Sequence, residues 1–186
     1  MTNREAPAMA AARVRLACRS RRAMRGVTMV ELIFTIMLVA ILASLAVPSF
    51  RDASLGSRLS SAANDLLSSV QLARSEAIKS NLVTILCTST NGSTCDDDGD
   101  WEQGWIVLDG GGRVIDSHAA LSTGFKLVEA GSNEEILFQP IGVGATAASF
   151  TACRKDPVGS QERVVTVTAT GVAHVTRTTA GECPPD

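Results

Sequence analysis

The apolar run at 27–47 constrains this chain more than any other stretch. Glu31 is its only charged residue. At about 1.5 Å rise per residue, a helix over this run matches a hydrocarbon core of roughly 30 Å. An unpaired carboxylate inside such a segment costs a few kcal/mol, which marks Glu31 as a functional residue. Arg19, Arg21, Arg22 and Arg25 crowd the N-terminal side of Gly26, and Pro48 follows the run. A plain signal anchor is the simpler reading. It leaves the set positions of Gly26, Glu31 and Pro48 unexplained.

Upstream, 1–26 carries Arg4, Arg13, Arg15, Arg19, Arg21, Arg22 and Arg25 against one acid, Glu5. Positive charge ahead of an apolar run holds the N-terminus in the cytoplasm and sends the C-terminus across the membrane. Two rival signals compete. Ser20-Arg21-Arg22 faintly suggests a twin-arginine signal, and ordinary signal peptidase could cut near 43–47. Neither explains Glu31. As a leader, 1–26 stands outside the fold. The chain has 17 basic and 19 acidic residues; without seven Arg and Glu5 the rest carries 10 and 18, a net of −8. A bulk basic surface for nucleic acid is therefore absent.

Gly26-Val27-Thr28-Met29-Val30-Glu31 resembles the processing site of type IV prepilins and type II secretion pseudopilins. The resemblance implies cleavage after Gly26 by a prepilin peptidase and methylation of the new amino group on Val27. Glu31 would be the fifth mature residue and Pro48 the twenty-second, as in that family. Val27 departs from the Phe usual at the first mature position. Glu31 also has a physical reason. Cleavage leaves a cationic amine, and an unpaired charge among packed apolar tails is expensive. Glu31 could neutralise the amine of a neighbouring subunit and so set their register.

Beyond Pro48 the pattern becomes amphipathic. A proline there bends a helix without ending it. Leu55, Leu59, Ala62, Leu66, Val70, Ala73 and Ala77 form one apolar stripe at spacings of three and four. The reading is one helix over 27–80, with Gly56 as a flexible point and Asn81 as the stop. A coiled-coil seam is the alternative use of the stripe. The β-rich sequence that follows needs a cover, which favours packing within the chain.

After Asn81 the period shortens. Strands are expected at 82–88, 105–109, 113–117, 125–129, 136–139, 150–153, 163–169 and 172–178, punctuated by Asn91-Gly92, Gly110-Gly111-Gly112, Gly142, Gly144 and Gly171. Short strands with frequent turns argue an antiparallel sheet or small sandwich. One domain with a modest core fits 81–186.

Gln71-Leu-Ala-Arg-Ser-Glu-Ala-Ile-Lys79, then 83–87, then Trp101-Glu-Gln-Gly-Trp105 resembles the GspH/FimT group of minor pilins and pseudopilins. The stretches 150–153 and 164–171 are similar to its C-terminal half. The resemblance implies an α+β, type IV pilin-like fold: a long N-terminal helix, transmembrane then amphipathic, packed on an antiparallel β-sheet domain. The implied organisation is a leader at 1–26, a transmembrane half at 27–47, an amphipathic half at 48–80 and a periplasmic domain at 81–186. It also implies a non-enzymatic minor subunit at or near a filament tip. Its partners would be prepilin peptidase, other pilins or pseudopilins and the inner membrane. No cofactor is implied. A DNA receptor for uptake and a monomeric anchored periplasmic protein are the competing classes.

Cys18 leaves with the leader. Cys87, Cys95, Cys153 and Cys183 remain, in a compartment that permits disulfides. Of three pairings, Cys87–Cys95 would clip the Asn91-Gly92 turn and Cys153–Cys183 would tie the C-terminal tail. Metal binding is the alternative, but the Cys-x-x-Cys spacing of zinc sites is missing. Asp96, Asp98 and Asp100 are weak calcium candidates, because the distal Glu of a full loop is not in place. A solvated turn is the plainer reading. His118 and His174 are isolated in sequence, and Trp101 and Trp105 read as core or edge packing. No Gly-x-Ser-x-Gly, P-loop or His-Glu-x-x-His motif is present. Uptake members of the resembled family carry Gly-Arg-x-Arg near the last strand. The matching place here is Gly171-Val172-Ala173-His174, without the arginines. Weak or no DNA binding is expected, with Arg154, Lys155 and Arg177 as the residues to test.

Overall fold

A computed structural model describes residues 26–156, 159, 161–178 and 183. All of the leader except Gly26 lies outside them. The chain divides into two units, Met1–Ser44 and Leu45–Asp186. One helix, α1 (Met29–Ser80), contributes to both.

In the first unit, α1 begins two residues later than the apolar run. Thr28 is the reason. Its Oγ1 accepts the Glu31 N–H at 3.2 Å, and its carbonyl accepts the first helical bond, from Leu32 N–H at 3.1 Å. Thr28 is thus the N-cap, satisfying a donor that has no partner inside the helix. Every described side chain from 27 to 44 is exposed.

In the second unit, the backbone stays helical through Pro48 to Ser80. Asn81 then takes a left-handed conformation, φ 56°, and stops the helix. Among the described residues eight strands follow: β1 (Thr84–Thr88), β2 (Gly104–Leu108), β3 (Val114–Ala119), β4 (Phe125–Glu129), β5 (Glu135–Phe138), β6 (Ala148–Arg154), β7 (Glu162–Val167) and β8 (Ala173–Thr178). They form two antiparallel sheets of four, ordered β3-β2-β1-β5 and β4-β6-β7-β8. A 3₁₀ turn at Trp101–Gln103, which has no periodic signature, leads into β2.

The stripe on α1 covers both sheets. Leu59, Ala63, Leu66, Val70, Ala73 and Ala77 join one core with Leu86, Trp105, Val107, Ile136 and Phe138 from the first sheet. Phe125, Leu127, Phe150, Ala152, Val165 and Val167 enter it from the second. The coiled-coil use of the stripe is therefore excluded: its surface is already spent inside the chain. Gly104 permits the close join between β1, β2 and β3. Its φ is 118°, and a Cβ there would sit 2.6 Å from the His118 carbonyl oxygen.

Candidate functional site

The residues singled out by sequence fall into separate places. Gly26 and Val27 are exposed, and a Cβ on Gly26 would meet nothing within 4 Å. Backbone access of this kind is what a peptidase needs. Glu31 sits in the first turn of α1, exposed, and its carboxylate has no partner among the described residues. Beyond it lie Phe34 and Leu38, 61% and 60% exposed. A helical stretch apolar on all sides and covered by none of the described residues needs an apolar surrounding supplied from outside.

The second feature is a polar lock between α1 and the first sheet. Trp105 is fully buried, and its Nε1–H donates to Ser69 Oγ at 3.0 Å. Ser69 Oγ in turn donates to Asp116 Oδ2 at 2.8 Å. His118 is not isolated once folded. Its ring stacks on Trp105 at 4.0 Å and 2°, and its Nε2 lies 3.4 Å from Asp65 Oδ2. Trp101, also buried, meets Phe150 edge-on at 4.8 Å and donates to the Asn133 carbonyl at 2.8 Å. Both indoles therefore pack the core.

Cys87 is bonded to Cys95 and Cys153 to Cys183. The Asp-rich loop holds itself: Asp96 Oδ2 accepts from Thr90 N–H at 2.6 Å and Asp100 Oδ2 from Gln103 Nε2 at 3.4 Å. Asp98 shares a cavity wall with Asp100, Glu102 and Glu129. Glu129 is committed to its own turn, accepting from the Gly131 and Asn133 N–H groups at 2.8 and 2.7 Å. Among the described residues no three His, Cys, Asp or Glu side chains come together as a metal site. On the β2–β3 turn, the Arg113 backbone N–H, 2.9 Å from Asp109 Oδ1, leads the interactions that hold that carboxyl below its usual range.

The candidate cations divide. Arg154 is buried, 3.6 Å from Asp52 Oδ1 on α1, while Lys155 and Arg177 are exposed. Strand register places Arg154 opposite Phe125, and Arg163 opposite both Ala152 and Arg177. Directly opposed residues share a face, so Arg154, Arg163 and Arg177 line the helix-facing side of the second sheet at one end. Burial, followed by the charge of Arg177, lowers the pKa of Arg163. Sequence reasoning missed Arg163, because only the pairing of β6, β7 and β8 shows which arginines are neighbours. Gly171-Val172-Ala173-His174 forms the turn into β8. A Cβ on Gly171 would lie 3.3 Å from Arg74, whose Nη2 donates to the Gly142 carbonyl at 3.0 Å.

The sequence model of the family described as type II transport protein GspH matches residues 62–171. Among solved structures, the type IV minor pilin FimU of Pseudomonas aeruginosa strain PAO1 superposes with a TM-score of 0.52 at 20% identity, covering 63% of this chain and 87% of that one. A second crystal form of FimU gives 0.50 at 21% identity, covering 63% and 92%. The minor pseudopilin EpsH from the type 2 secretion system of Vibrio cholerae gives 0.48 at 13% identity, covering 64% and 96%. No curated protein sequence matches.

Proposed function

The chain belongs to the GspH family of minor pilins and pseudopilins, and from that premise we propose that it is a structural and assembly subunit of a type IV pilus or type II secretion filament. In this reading a prepilin peptidase removes 1–26 and methylates Val27. The half at 27–47 holds the precursor in the bacterial inner membrane and then packs into the filament among other major and minor pilins or pseudopilins. The half at 48–80 is the cover of the periplasmic domain at 81–186. Glu31 pairs with the amine of a neighbouring subunit, and Pro48 spares the backbone one hydrogen bond where the two halves meet.

One observation carries this reading. An exposed Gly26–Val27 bond is followed directly by a capped helix whose carboxylate and apolar faces are unclaimed by any of the described residues. Co-expression with a prepilin peptidase should shorten the protein to begin at methylated Val27, by intact mass. Gly26→Arg should abolish the cut. A mature N-terminus near Ala46 would overturn the reading. Glu31→Val should be inserted and cleaved, yet enter filaments poorly, because an amine is then left without its counter-charge.

A further inference from the structure

One contact beside the polar lock is unbalanced. His118 Nδ1 lies 2.7 Å from the Ala119 carbonyl oxygen. A carbonyl only accepts, so Nδ1 carries the hydrogen and the neutral ring presents an Nε2 lone pair. Asp65 Oδ2, 3.4 Å from that Nε2, is an acceptor as well. Two acceptors at this range repel unless a positive centre lies between them. A proton is one such centre. Charge-assisted pairs that share a proton close to about 2.7–2.9 Å, and this pair stays well outside that range. A divalent ion is another. Set about 2.1 Å from each atom, it would subtend about 110° across the 3.4 Å gap, the angle of a tetrahedral zinc site.

The surroundings suit an ion. Buried Trp105 stacks on the imidazole at 4.0 Å and 2°, which fixes the ring plane. The hydrogen bond from Nδ1 to a backbone carbonyl is the outer contact that metal-bound histidines use to set tautomer and aim. Among the described residues Asp65 Oδ2 has one other contact, Ser61 Oγ at 3.5 Å. A cavity of about 250 Å³ opens beside the pair, lined also by Ser61, Leu121 and Ser122. Two protein ligands leave two tetrahedral positions, and waters of about 30 Å³ each fit them in that space. Arg58 lines the same cavity but is exposed, so water weakens its repulsion of a cation. An imidazole nitrogen with one carboxylate favours zinc over calcium or magnesium.

We propose that His118 and Asp65 form a two-ligand site for a zinc-class divalent cation, with water completing its coordination. The ion ties β3 to α1 beside the bonds that join Trp105, Ser69 and Asp116. It does so whether or not the chain enters a filament.

The full chain, untagged and carrying Cys18→Ser to remove a competing thiol, is stripped with chelator in mild detergent near neutral pH and titrated with zinc by calorimetry. One equivalent should bind. At a hundredfold excess over Kd, zinc should raise the thermal midpoint by roughly 5–10 °C. Long-range proton–nitrogen spectra should show the His118 Nε2 resonance moving while Nδ1 keeps its proton. Copper(II), higher in the affinity order, should quench Trp105 through the stacked ring. His118→Gln and Asp65→Asn should each lose on the order of tenfold or more in zinc affinity, and His174→Gln should lose none. Asp65→Asn leaves the ring stack in place, so it reads the loss of a ligand even where His118→Gln weakens the fold. Absence of zinc binding, or an affinity unchanged in Asp65→Asn, would overturn the proposal. A His118–Asp65 contact that tightens in acid without responding to zinc would overturn it too, leaving an ion pair alone.

Discussion

Leu38 and Leu66 lie in the same helix and meet opposite fates: one is 60% exposed, the other not at all. The local backbone is helical at both, so propensity does not separate them. Pattern does. Around Leu66 apolar residues return every three or four positions and polar residues fill the rest, so one side of α1 has a defined partner inside the chain. Around Leu38 every side is apolar, so no single face within a domain could bury it. The first half states a need for surroundings, and the second half satisfies its need alone. In the filament reading proposed above, that division would let the domain fold before its neighbours arrive.

The largest expected effect contrasts these two leucines. Leu66→Ala removes a fully buried side chain and should destabilise the domain by about 2–5 kcal/mol. Leu38→Ala should leave domain unfolding within about 0.5 kcal/mol. Denaturant unfolding in micelles, followed by Trp101 and Trp105 fluorescence, reads both. Equal losses would mean that the two halves are not energetically separate.

The disulfides ask how much of the second half's independence is covalent. Cys153–Cys183 spans 30 residues and Cys87–Cys95 spans 8. Loop-closure entropy assigns them about 3.6 and 2.5 kcal/mol. Replacing both cysteines of a pair with Ala should therefore cost more for the longer loop. The reverse order would show that the turn clipped by Cys87–Cys95 matters more than chain entropy.

A smaller effect is expected at the polar lock. Ser69→Ala leaves the Trp105 Nε1–H buried without its acceptor, at about 2 kcal/mol. In a Trp105→Phe background the same change should cost less, since no indole N–H remains to be orphaned. A double-mutant cycle measures the difference. A cycle that closes at zero would remove the lock from the helix–sheet contact.

How legible was this in the sequence? All eight strands lie within two residues of their expected positions, because alternation and Gly-bearing turns are local signals. The partition into two sheets was not legible, since β5 returns to pair with β1 while β4 skips to β6. The same holds for Ser69, Asp116 and His118, which are distant in sequence and adjacent only after pairing. Arg163 belongs to that class, and so does the 3₁₀ turn at Trp101–Gln103, which follows no period. The roles proposed for Gly26, Val27, Glu31 and Pro48 rest on a different signal, spacing along the chain, which needs no fold to read.

The smallest effect concerns the start of the exposed half. Thr28 and Glu31 have the spacing of a capping box, and the hydroxyl arm of that box is formed. Thr28→Ala should cost about 1 kcal/mol of helix stability. Fraying falls off within a turn or so, so the loss should appear as faster hydrogen exchange at Glu31 and Leu32 and nowhere in the domain. Thr28→Ser should restore protection, because it keeps the hydroxyl. If Glu31 must meet a neighbour's amine from a fixed position, Thr28→Ala should also lower filament incorporation while cleavage after Gly26 continues. A shift in the unfolding midpoint of the domain would break the comparison, since it would couple the first turn of α1 to a core that begins more than twenty residues later.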